Sequence, residues 1–147
     1  MTLGIGSSMS EISDSDRRWF DLAMKTAELS LCQFKHGAVI TYKRKPISVG
    51  CNIPKMSGSI RRLIRGAPYN QTAENRRKRS DQIHAEVVAI LKARTNLHGA
   101  TLYSARYRPR GFFGDSCPCD SCSQIISISG ISCVVYSLNG ELKKTEL

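Results

Sequence analysis

The fold is decided by residues 99–137, which read GATLYSARYRPRGFFGDSCPCDSCSQIISISGISCVVYS. Residues 100–105 and 131–137 are short runs rich in β-branched and aromatic side chains, a pattern that predicts two strands. The segment between them predicts a helix that begins near Cys119 and ends before Gly130, because glycine commonly follows the last helical turn. A strand, a helix and a second strand in this order predict parallel strands joined by a right-handed crossover.

The chain before this stretch follows the same alternation of helices and strands. Ser13 suits a helix N-cap, and apolar residues at helical spacing continue to near Cys32. Residues 36–42 and 47–51 read as two strands on either side of a basic turn, and a second helix is predicted from Ile83. The order of elements is therefore α-β-β-α-β-α-β, which predicts an α/β fold.

The composition is typical of a soluble globular chain with one domain. The chain has 147 residues, and none of its apolar runs approaches the ~18 residues that a membrane span needs. Residues 1–12 read as a disordered lead-in rich in Ser and Gly, and residues 13–147 are expected to form the domain. The first residues lack the basic start and apolar core of a secretory signal, so we expect a cytoplasmic location and no membrane association.

Basic charge is concentrated in one segment of the chain, residues 53–81, and the formal net charge is +10. This segment is rich in Pro, Gly, Ser and Asn and reads as a long loop, with a short helix at residues 59–64. Its basic residues are Lys55, Arg61, Arg62, Arg65, Arg76, Arg77, Lys78 and Arg79. Such a balance favours anionic partners, namely nucleotides, nucleic acid or acidic lipid, although a solvated basic surface is the alternative.

Cysteine usage indicates a metal site rather than disulfides. Cys117, Cys119 and Cys122 crowd into six residues of a chain without an export signal, a pattern that favours metal binding in a reducing compartment. The C-x-x-C spacing alone also fits a redox pair or half of a four-ligand structural site. Cys117 is expected to be a bystander, and the other cysteines are expected to pack as small hydrophobic residues: Cys32, Cys51 and Cys133.

Two short motifs, each at a predicted helix start, carry the chemistry. His84 begins the first motif, H-A-E, and Pro118 precedes the second, in which Cys119 and Cys122 are three residues apart and share one helix face. One imidazole nitrogen and two thiolates supply three ligands of a tetrahedral zinc site and leave the fourth position open for water. This H-x-E…P-C-x-x-C pattern is the signature of zinc deaminases.

Glu86 is the candidate proton carrier of this site. Zinc bound by two thiolates and a neutral imidazole carries no net charge, so it acidifies its water less than zinc held by neutral ligands does. A carboxylate base is therefore needed beside it. Glu86 can accept the proton of the water and deliver it to a substrate ring nitrogen and then to departing ammonia, without being a ligand itself.

The chain resembles the cytidine and deoxycytidylate deaminase superfamily over residues 14–138, in the ordered segments HGAVI, VGCN, HAE, GATLY, PCDSC and GISCVVY. The resemblance implies a three-layer α/β/α sandwich around a mixed four- to five-stranded sheet, whose first two strands are antiparallel. It also implies zinc bound by His84, Cys119 and Cys122, with Glu86 as the proton shuttle.

Substrate-binding roles also follow from the resemblance. It implies that Asn52 bonds a sugar hydroxyl, although a plain turn residue is the alternative for this asparagine. The backbone amide of Ala85 is implied to hold the substrate carbonyl, and that of Cys119 the hydroxyl on the metal. Family members usually form homo-oligomers, so we expect a homo-oligomer here.

The sequence departs from the family pattern in three places. Residues 104–117 form a longer connection than usual, read as a loop from Arg106, and carry arginines and phenylalanines. The basic segment 53–81 matches no effector-binding pattern. The polar residues after the strand at 131–137 are expected to leave the family's fifth strand and final helix absent, as in a C-terminally minimal version of the fold.

Three functions are compatible with these features. The first is zinc-dependent hydrolytic deamination of a cytosine nucleotide or nucleoside, above all of dCMP or CMP to dUMP or UMP. The second is deamination of a base in nucleic acid, either tRNA adenosine or single-stranded cytosine, which the +10 charge and the arginine–aromatic mix of residues 106–113 favour. The third is a non-catalytic zinc-stabilised binding module, against which the presence of Glu86 argues.

Overall fold

A computed structural model of the chain describes residues 8–54 and 82–147. The helices are α1 (Asp14–Glu28), α2 (Ala85–Ala93) and α3 (Asp120–Ser129). The strands are β1 (Ser8–Ser10), β2 (Lys35–Tyr42), β3 (Lys45–Cys51), β4 (Thr101–Tyr107), β5 (Phe113–Gly114), β6 (Cys133–Leu138) and β7 (Glu141–Glu146). The predicted helix at 59–64 and the basic loop beyond Pro54 lie outside the described residues. None of the described helices is long and apolar enough to cross a membrane.

The strands form one mixed sheet in the order β1-β7-β6-β4-β2-β3. Strands β4 and β6 are parallel, as the sequence predicts, and α3 makes the crossover between them. The antiparallel pairing of β2 with β3 that the family resemblance implies is also confirmed. Five strands of six to eight residues build the sheet, and the short strands β1 and β5 are added to them.

Helix α1 covers one face of the sheet. Ser13 and Asp16 form a reciprocal capping box at its N-terminus, which satisfies two backbone N–H groups of the first turn. Its buried residues Phe20 and Ala23 pack on side chains of the central strands: Val39, Tyr103, Ala105 and Val135. Gly37 of β2 permits this approach, because a Cβ there would overlap the backbone carbonyl oxygen of Ala23.

Helices α2 and α3 cover the opposite face. Ala85 and Ala89 of α2 and Ile126 of α3 are fully buried against apolar residues of the sheet: Ala38, Ile40, Leu102, Val134 and Tyr136. Small alanine side chains let α2 lie close to the strands, and Ser48 of β3 donates a hydrogen bond to the Ala89 carbonyl. The α/β/α layering is therefore confirmed.

The C-terminal residues form a strand that the sequence analysis did not predict. Asn139 and Gly140 have φ values of 51° and 79°, the positive values of a type I′ hairpin turn. After this turn, β7 pairs antiparallel with β6 over its full length. The expectation of a chain that stops after the fourth long strand is therefore wrong, because a fifth is present.

Two further expectations are corrected at strand β1 and at the insertion. Residues 8–10, read as part of a disordered lead-in, pair with the outer edge of β7, while residues 1–7 lie outside the described part of the chain. The predicted loop that begins at Arg106 is instead a continuation of β4 to Tyr107, followed by the return strand β5. A single 3-10 turn, Pro109–Gly111, connects the two.

Asp16 ties helix α1 to the sheet. Its buried carboxylate accepts hydrogen bonds from the Tyr103 hydroxyl at 2.8 Å and from Lys144 Nζ at 3.0 Å, in addition to the Ser13 backbone N–H. Burial by itself raises the pKa of Asp16, but these hydrogen bonds outweigh it and hold the pKa below its ordinary value. The ion pair with Lys144 also links the polar strand β7 to helix α1.

Candidate metal centre

The predicted metal ligands lie at two helix N-termini that the fold brings together. His84 is the N-cap of α2 and Cys119 is the N-cap of α3, each with an extended backbone, and Cys122 lies in the first turn of α3. Neither N-cap side chain, His84 or Cys119, accepts a hydrogen bond from the first turn of its helix, and both positive helix ends face the ligand cluster. Positive helix ends favour an anion bound beside them, an effect that opposes the burial of the Cys122 sulfur.

The distances between the ligand atoms fit a tetrahedral zinc ion. His84 Nδ1 lies 3.1 Å from Cys122 Sγ and 3.6 Å from Cys119 Sγ, and the ligand atoms all lie within 4.8 Å of one another. Zinc–nitrogen and zinc–sulfur bonds of about 2.0 and 2.3 Å at tetrahedral angles place nitrogen and sulfur about 3.5 Å apart. The chemistry of the donors, one imidazole and two sulfurs, suits the same ion.

The cysteines differ in how deeply they are buried and in what surrounds them. Cys122 is buried and Cys119 is exposed. Burial, together with the nearby Glu86 carboxylate, raises the pKa of the Cys122 thiol, so metal binding at this position must displace a proton. Cys117 lines the cleft and packs against the core, outside the ligand cluster. Cys32 and Cys133 are buried, as expected for small hydrophobic residues, and Cys51 is half-buried.

Glu86 lies in the wall of the cleft, in the first turn of α2. Its side chain is 6% exposed, and burial raises the pKa of its carboxyl, against the opposing effects of its own backbone N–H and of His84. A carboxyl group at a reaction site can both accept and return a proton, which is what general acid–base catalysis requires. The structure therefore places a group suited to proton transfer beside the predicted ligands.

The cleft has a volume of about 130 Å³, which suits a small ring rather than a large ligand. It is lined by His36, Asn52, Gln82, His84, Ala85, Glu86, Ser116, Cys117 and Cys119. All of the site residues expected from the sequence line it except Cys122, which lies behind it in the ligand cluster. The α2 end of the cleft presents the first N–H groups of the helix, Ala85 included, which intrahelical bonds leave unpaired.

Asn52 is buried and strongly held. Its side-chain amide donates to the Phe34 carbonyl at 2.7 Å and to Gln82 Oε1 at 2.8 Å, and its Oδ1 accepts the His36 backbone N–H at 2.9 Å. Both donor hydrogens are therefore used within the protein, and one lone pair of Oδ1 remains. A ligand hydroxyl can bond Asn52 only by donating to this oxygen.

His36 and Gln82 are cleft residues that the sequence analysis did not single out. Burial, with the charges of Arg106 and His84 as further causes, lowers the pKa of His36 to about 4. The imidazole is therefore neutral at physiological pH. The signal was present for His36, since a histidine at the start of an apolar strand is unusual, whereas Gln82 lies in no recognisable pattern.

A buried cluster of serines positions the segment that leads to the cysteines. Ser116 Oγ donates to the Ser104 carbonyl at 2.7 Å, and Ser104 Oγ donates to the Ser116 carbonyl at 2.9 Å. The backbone N–H of Ser137 donates to Ser116 Oγ at 2.9 Å, and Ser116 N–H donates to the Ser137 carbonyl. These bonds join the residue before Cys117 to β4 and β6 at once, so the ligand-bearing turn is anchored to the sheet.

Comparisons with known proteins agree with this geometry. Residues 13–138 match the family described as the cytidine and deoxycytidylate deaminase zinc-binding region. The chain is 33% identical over 130 residues to a deoxycytidylate deaminase of Mycobacterium phage D29, an alignment that covers 84% of this chain and 94% of the phage protein.

Solved structures share the fold at lower sequence identity. A cytidine deaminase from Burkholderia pseudomallei superimposes with a TM-score of 0.60 and 18% identity, over 88% of this chain and 91% of the other. A dCMP deaminase from the cyanophage S-TIM5, solved in complex with dCMP and dUMP, gives a TM-score of 0.56 and 18% identity, over 84% of this chain and 80% of the other. At this identity the likeness establishes the fold alone.

Proposed function

Because the chain belongs to the cytidine and deoxycytidylate deaminase zinc-binding family, and is thus an enzyme of the hydrolytic deaminase type, we propose that it converts dCMP to dUMP and ammonia. CMP, which would give UMP, is the ribose counterpart. The observation that carries the proposal is the buried Glu86 carboxyl in the same small cleft as His84 and Cys119. A non-catalytic binding module has no need of such a group.

The ligand cluster of His84, Cys119 and Cys122 would hold the zinc ion of this family. When bound, zinc supplies activation of the water that replaces the amino group of the base. Cys122 would bind the ion from the protein interior, while His84 and Cys119 line the cleft where the base would lie.

Glu86 moves the protons of the reaction in this proposal. Its carboxylate accepts a proton as water adds to C4 of the cytosine ring, and delivers it to ring N3. A second proton from the same water passes through Glu86 to the departing ammonia, so the carboxylate is regenerated at the end of each turnover. The raised pKa of Glu86 supports this role, because it makes the buried carboxylate a stronger base than an exposed one.

The remaining cleft residues orient the base and the sugar. The Ala85 N–H, which has no intrahelical partner at the start of α2, would donate to the ring carbonyl oxygen. The free lone pair of Asn52 Oδ1 would accept a hydrogen bond from a sugar hydroxyl, because both amide hydrogens of Asn52 are used within the protein. Exclusion of water by the narrow cleft would strengthen both contacts.

Support for a nucleotide rather than a nucleoside comes from two sources. The curated phage relative bears the name deoxycytidylate deaminase and aligns over nearly its whole length. The net charge of +10 favours an anionic substrate. A base in nucleic acid carries the same phosphate chemistry and is the alternative, which a cytosine-containing single-stranded oligonucleotide assayed beside dCMP separates. The cytoplasmic location and the homo-oligomer stay predictions.

The test is ammonia release from purified, zinc-loaded protein given dCMP, CMP, deoxycytidine and cytidine in parallel. The proposal expects the largest kcat/KM with dCMP. Absence of ammonia release from all four would contradict it. Turnover of the nucleosides alone would retain the reaction and reject the nucleotide as its substrate.

A further inference from the structure

His36 and Arg106 lie side by side on the face of the sheet that carries the cleft. The two residues are Cα partners in the antiparallel pairing of β2 with β4. Two residues further along each strand, Ala38 and Ser104 are partners, and then Ile40 and Leu102, which are buried under α2 and α3. Because alternate residues of a strand share a face, the His36 and Arg106 side chains project to the α2/α3 side. His36 lines the cleft itself.

Arg106 is held in place by its neighbours. Its guanidinium lies 5.2 Å from the centroid of the Phe34 ring, a cation–π contact. Its Cδ packs over Gly114 of β5, where an added Cβ would come within 3.1 Å. Strand β5 and the Phe34 ring therefore both contact the Arg106 side chain, which restricts the positions that its guanidinium can take.

Arg106 has no acidic partner among the residues that the structure describes. The ion pairs within those ranges join Lys143 to Glu141 and Lys144 to Asp16, both on the β7 side of the sheet. Because no carboxylate of residues 8–54 and 82–147 pairs with this half-buried guanidinium, its donors can bond an external anion. Its planar fork matches phosphate oxygens in a two-point contact that lysine cannot make.

We propose that Arg106 binds the 5′-phosphate of the nucleotide whose base enters the cleft, and so makes the enzyme specific for nucleotides over nucleosides. This inference rests on the proposed function. A phosphate on Arg106 would lie near Asn52, the proposed sugar-binding residue. Asn52 bonds the His36 N–H and the Phe34 carbonyl, and Arg106 lies beside both of these residues. The segment 34–36 thus joins the phosphate contact to the sugar contact.

His36 assists this site without adding charge. Since its imidazole is neutral, it can donate one hydrogen bond into the cleft while Arg106 supplies the positive charge. A protonated histidine at this position would repel both Arg106 and a metal at His84. Specificity for phosphate is therefore assigned to Arg106, and His36 is a neutral part of the cleft wall.

The test compares Arg106→Gln, Arg106→Lys and a charge-matched control, Arg18→Gln, each zinc-loaded, on dCMP and deoxycytidine. Arg18 is exposed on α1 and lies outside the cleft. Arg106→Gln is expected to lower kcat/KM for dCMP by about 10- to 100-fold, mainly through KM, since a charge-assisted contact is lost. Its kcat/KM for deoxycytidine should stay within about twofold of the value for the parent protein, because deoxycytidine has no phosphate for Arg106 to bind.

Arg106→Lys is expected to show an intermediate loss, because the charge is kept and the two-point contact is not. Arg18→Gln should leave both substrates unchanged, which separates local binding from the effect of net charge. Equal losses on dCMP and deoxycytidine in Arg106→Gln would show a structural role only and overturn the inference. So would an unchanged dCMP value.

A binding arm keeps the two proposals distinguishable. Calorimetry with dUMP and deoxyuridine should show that Arg106→Gln weakens only the nucleotide. If the parent protein turns over dCMP and Arg106→Gln loses nothing, the inference fails and the proposed function stands. If the parent protein neither binds dUMP nor turns over dCMP, both fail. Turnover of cytosine in a short single-stranded DNA, with dCMP left untouched, would assign the phosphate to nucleic acid and reject the free nucleotide.

Discussion

His84 Nδ1 and Cys122 Sγ lie 3.1 Å apart, although 38 residues separate them in the chain. The contact exists because α2 and α3 lie on the same face of the sheet and have neighbouring N-termini. Each motif supplies only a local geometry, and the parallel pairing of β4 with β6 brings the two together. The metal centre is therefore a property of the fold as much as of the motifs.

The ligand assignment predicts a difference between neighbouring cysteines. Cys122→Ser and Cys119→Ser should each lose most of the bound zinc, because a serine hydroxyl is a poor substitute for a thiolate at this site. Cys117→Ser should keep about one zinc per chain, since Cys117 lies outside the ligand cluster. Zinc content after dialysis, measured by elemental mass spectrometry, checks this. Zinc loss in Cys117→Ser together with zinc retention in Cys119→Ser would show that Cys117, and not Cys119, binds the metal.

Asp16 should make stability fall at acid pH. The folded state holds its pKa below the ordinary value of 3.8, so the carboxylate contributes stability at higher pH, and that contribution is lost as the pH falls through the folded pKa. Asp16→Asn should cost about 2–3 kcal/mol of unfolding free energy at pH 7 and flatten the acid dependence. Urea titrations at several pH values measure both.

Asp21→Asn is the matched control for this change, because Asp21 is an exposed carboxylate on the same helix. It should alter the unfolding free energy by less than about 0.5 kcal/mol. Equal stability of Asp16→Asn and the parent protein at pH 7 would reject the assigned role of the Tyr103 and Lys144 contacts.

The serine cluster predicts coupling between stability and zinc binding. Ser116→Ala leaves the backbone N–H of Ser137 without its partner and should cost about 1–3 kcal/mol. The same change should weaken zinc binding, since Ser116 anchors the turn that carries Cys119. Thermal unfolding and competition with a chelator measure the two effects, with exposed Ser127→Ala as the control. A Ser116→Ala variant that loses stability but binds zinc as tightly as the parent would separate the cluster from the metal centre.

The sequence predicted the cluster of His84, Cys119 and Cys122 and a nearby Glu86, because each depends on short-range spacing at a helix start. It did not predict β7, since ELKKTE is polar and its pairing depends on contacts made far along the chain, such as Lys144 with Asp16. The turn residues Asn139 and Gly140 did carry a hairpin signal, which the polar residues after them obscured.

The surroundings of His36 could not be predicted from the sequence either. Its place in the cleft depends on the register of β2 against β4, and the register places Arg106 within a strand that the sequence analysis read as a loop. Strand β5 explains this difference, because it returns along the edge of β4 and extends that strand to Tyr107. Phe113 of β5 also packs edge-on against Phe20 of α1, a contact between distant segments.

The central claim is that Glu86 transfers protons at a zinc site without binding the metal, and Glu86→Gln tests it most directly. Glutamine has nearly the same shape, so zinc content should stay at about one per chain while kcat for dCMP falls by about 10²- to 10⁴-fold. Glu28→Gln, an exposed change on α1, should leave both unchanged. Parallel measurement of zinc and of ammonia release decides the matter. Retained turnover in Glu86→Gln, or loss of its zinc, would contradict the account.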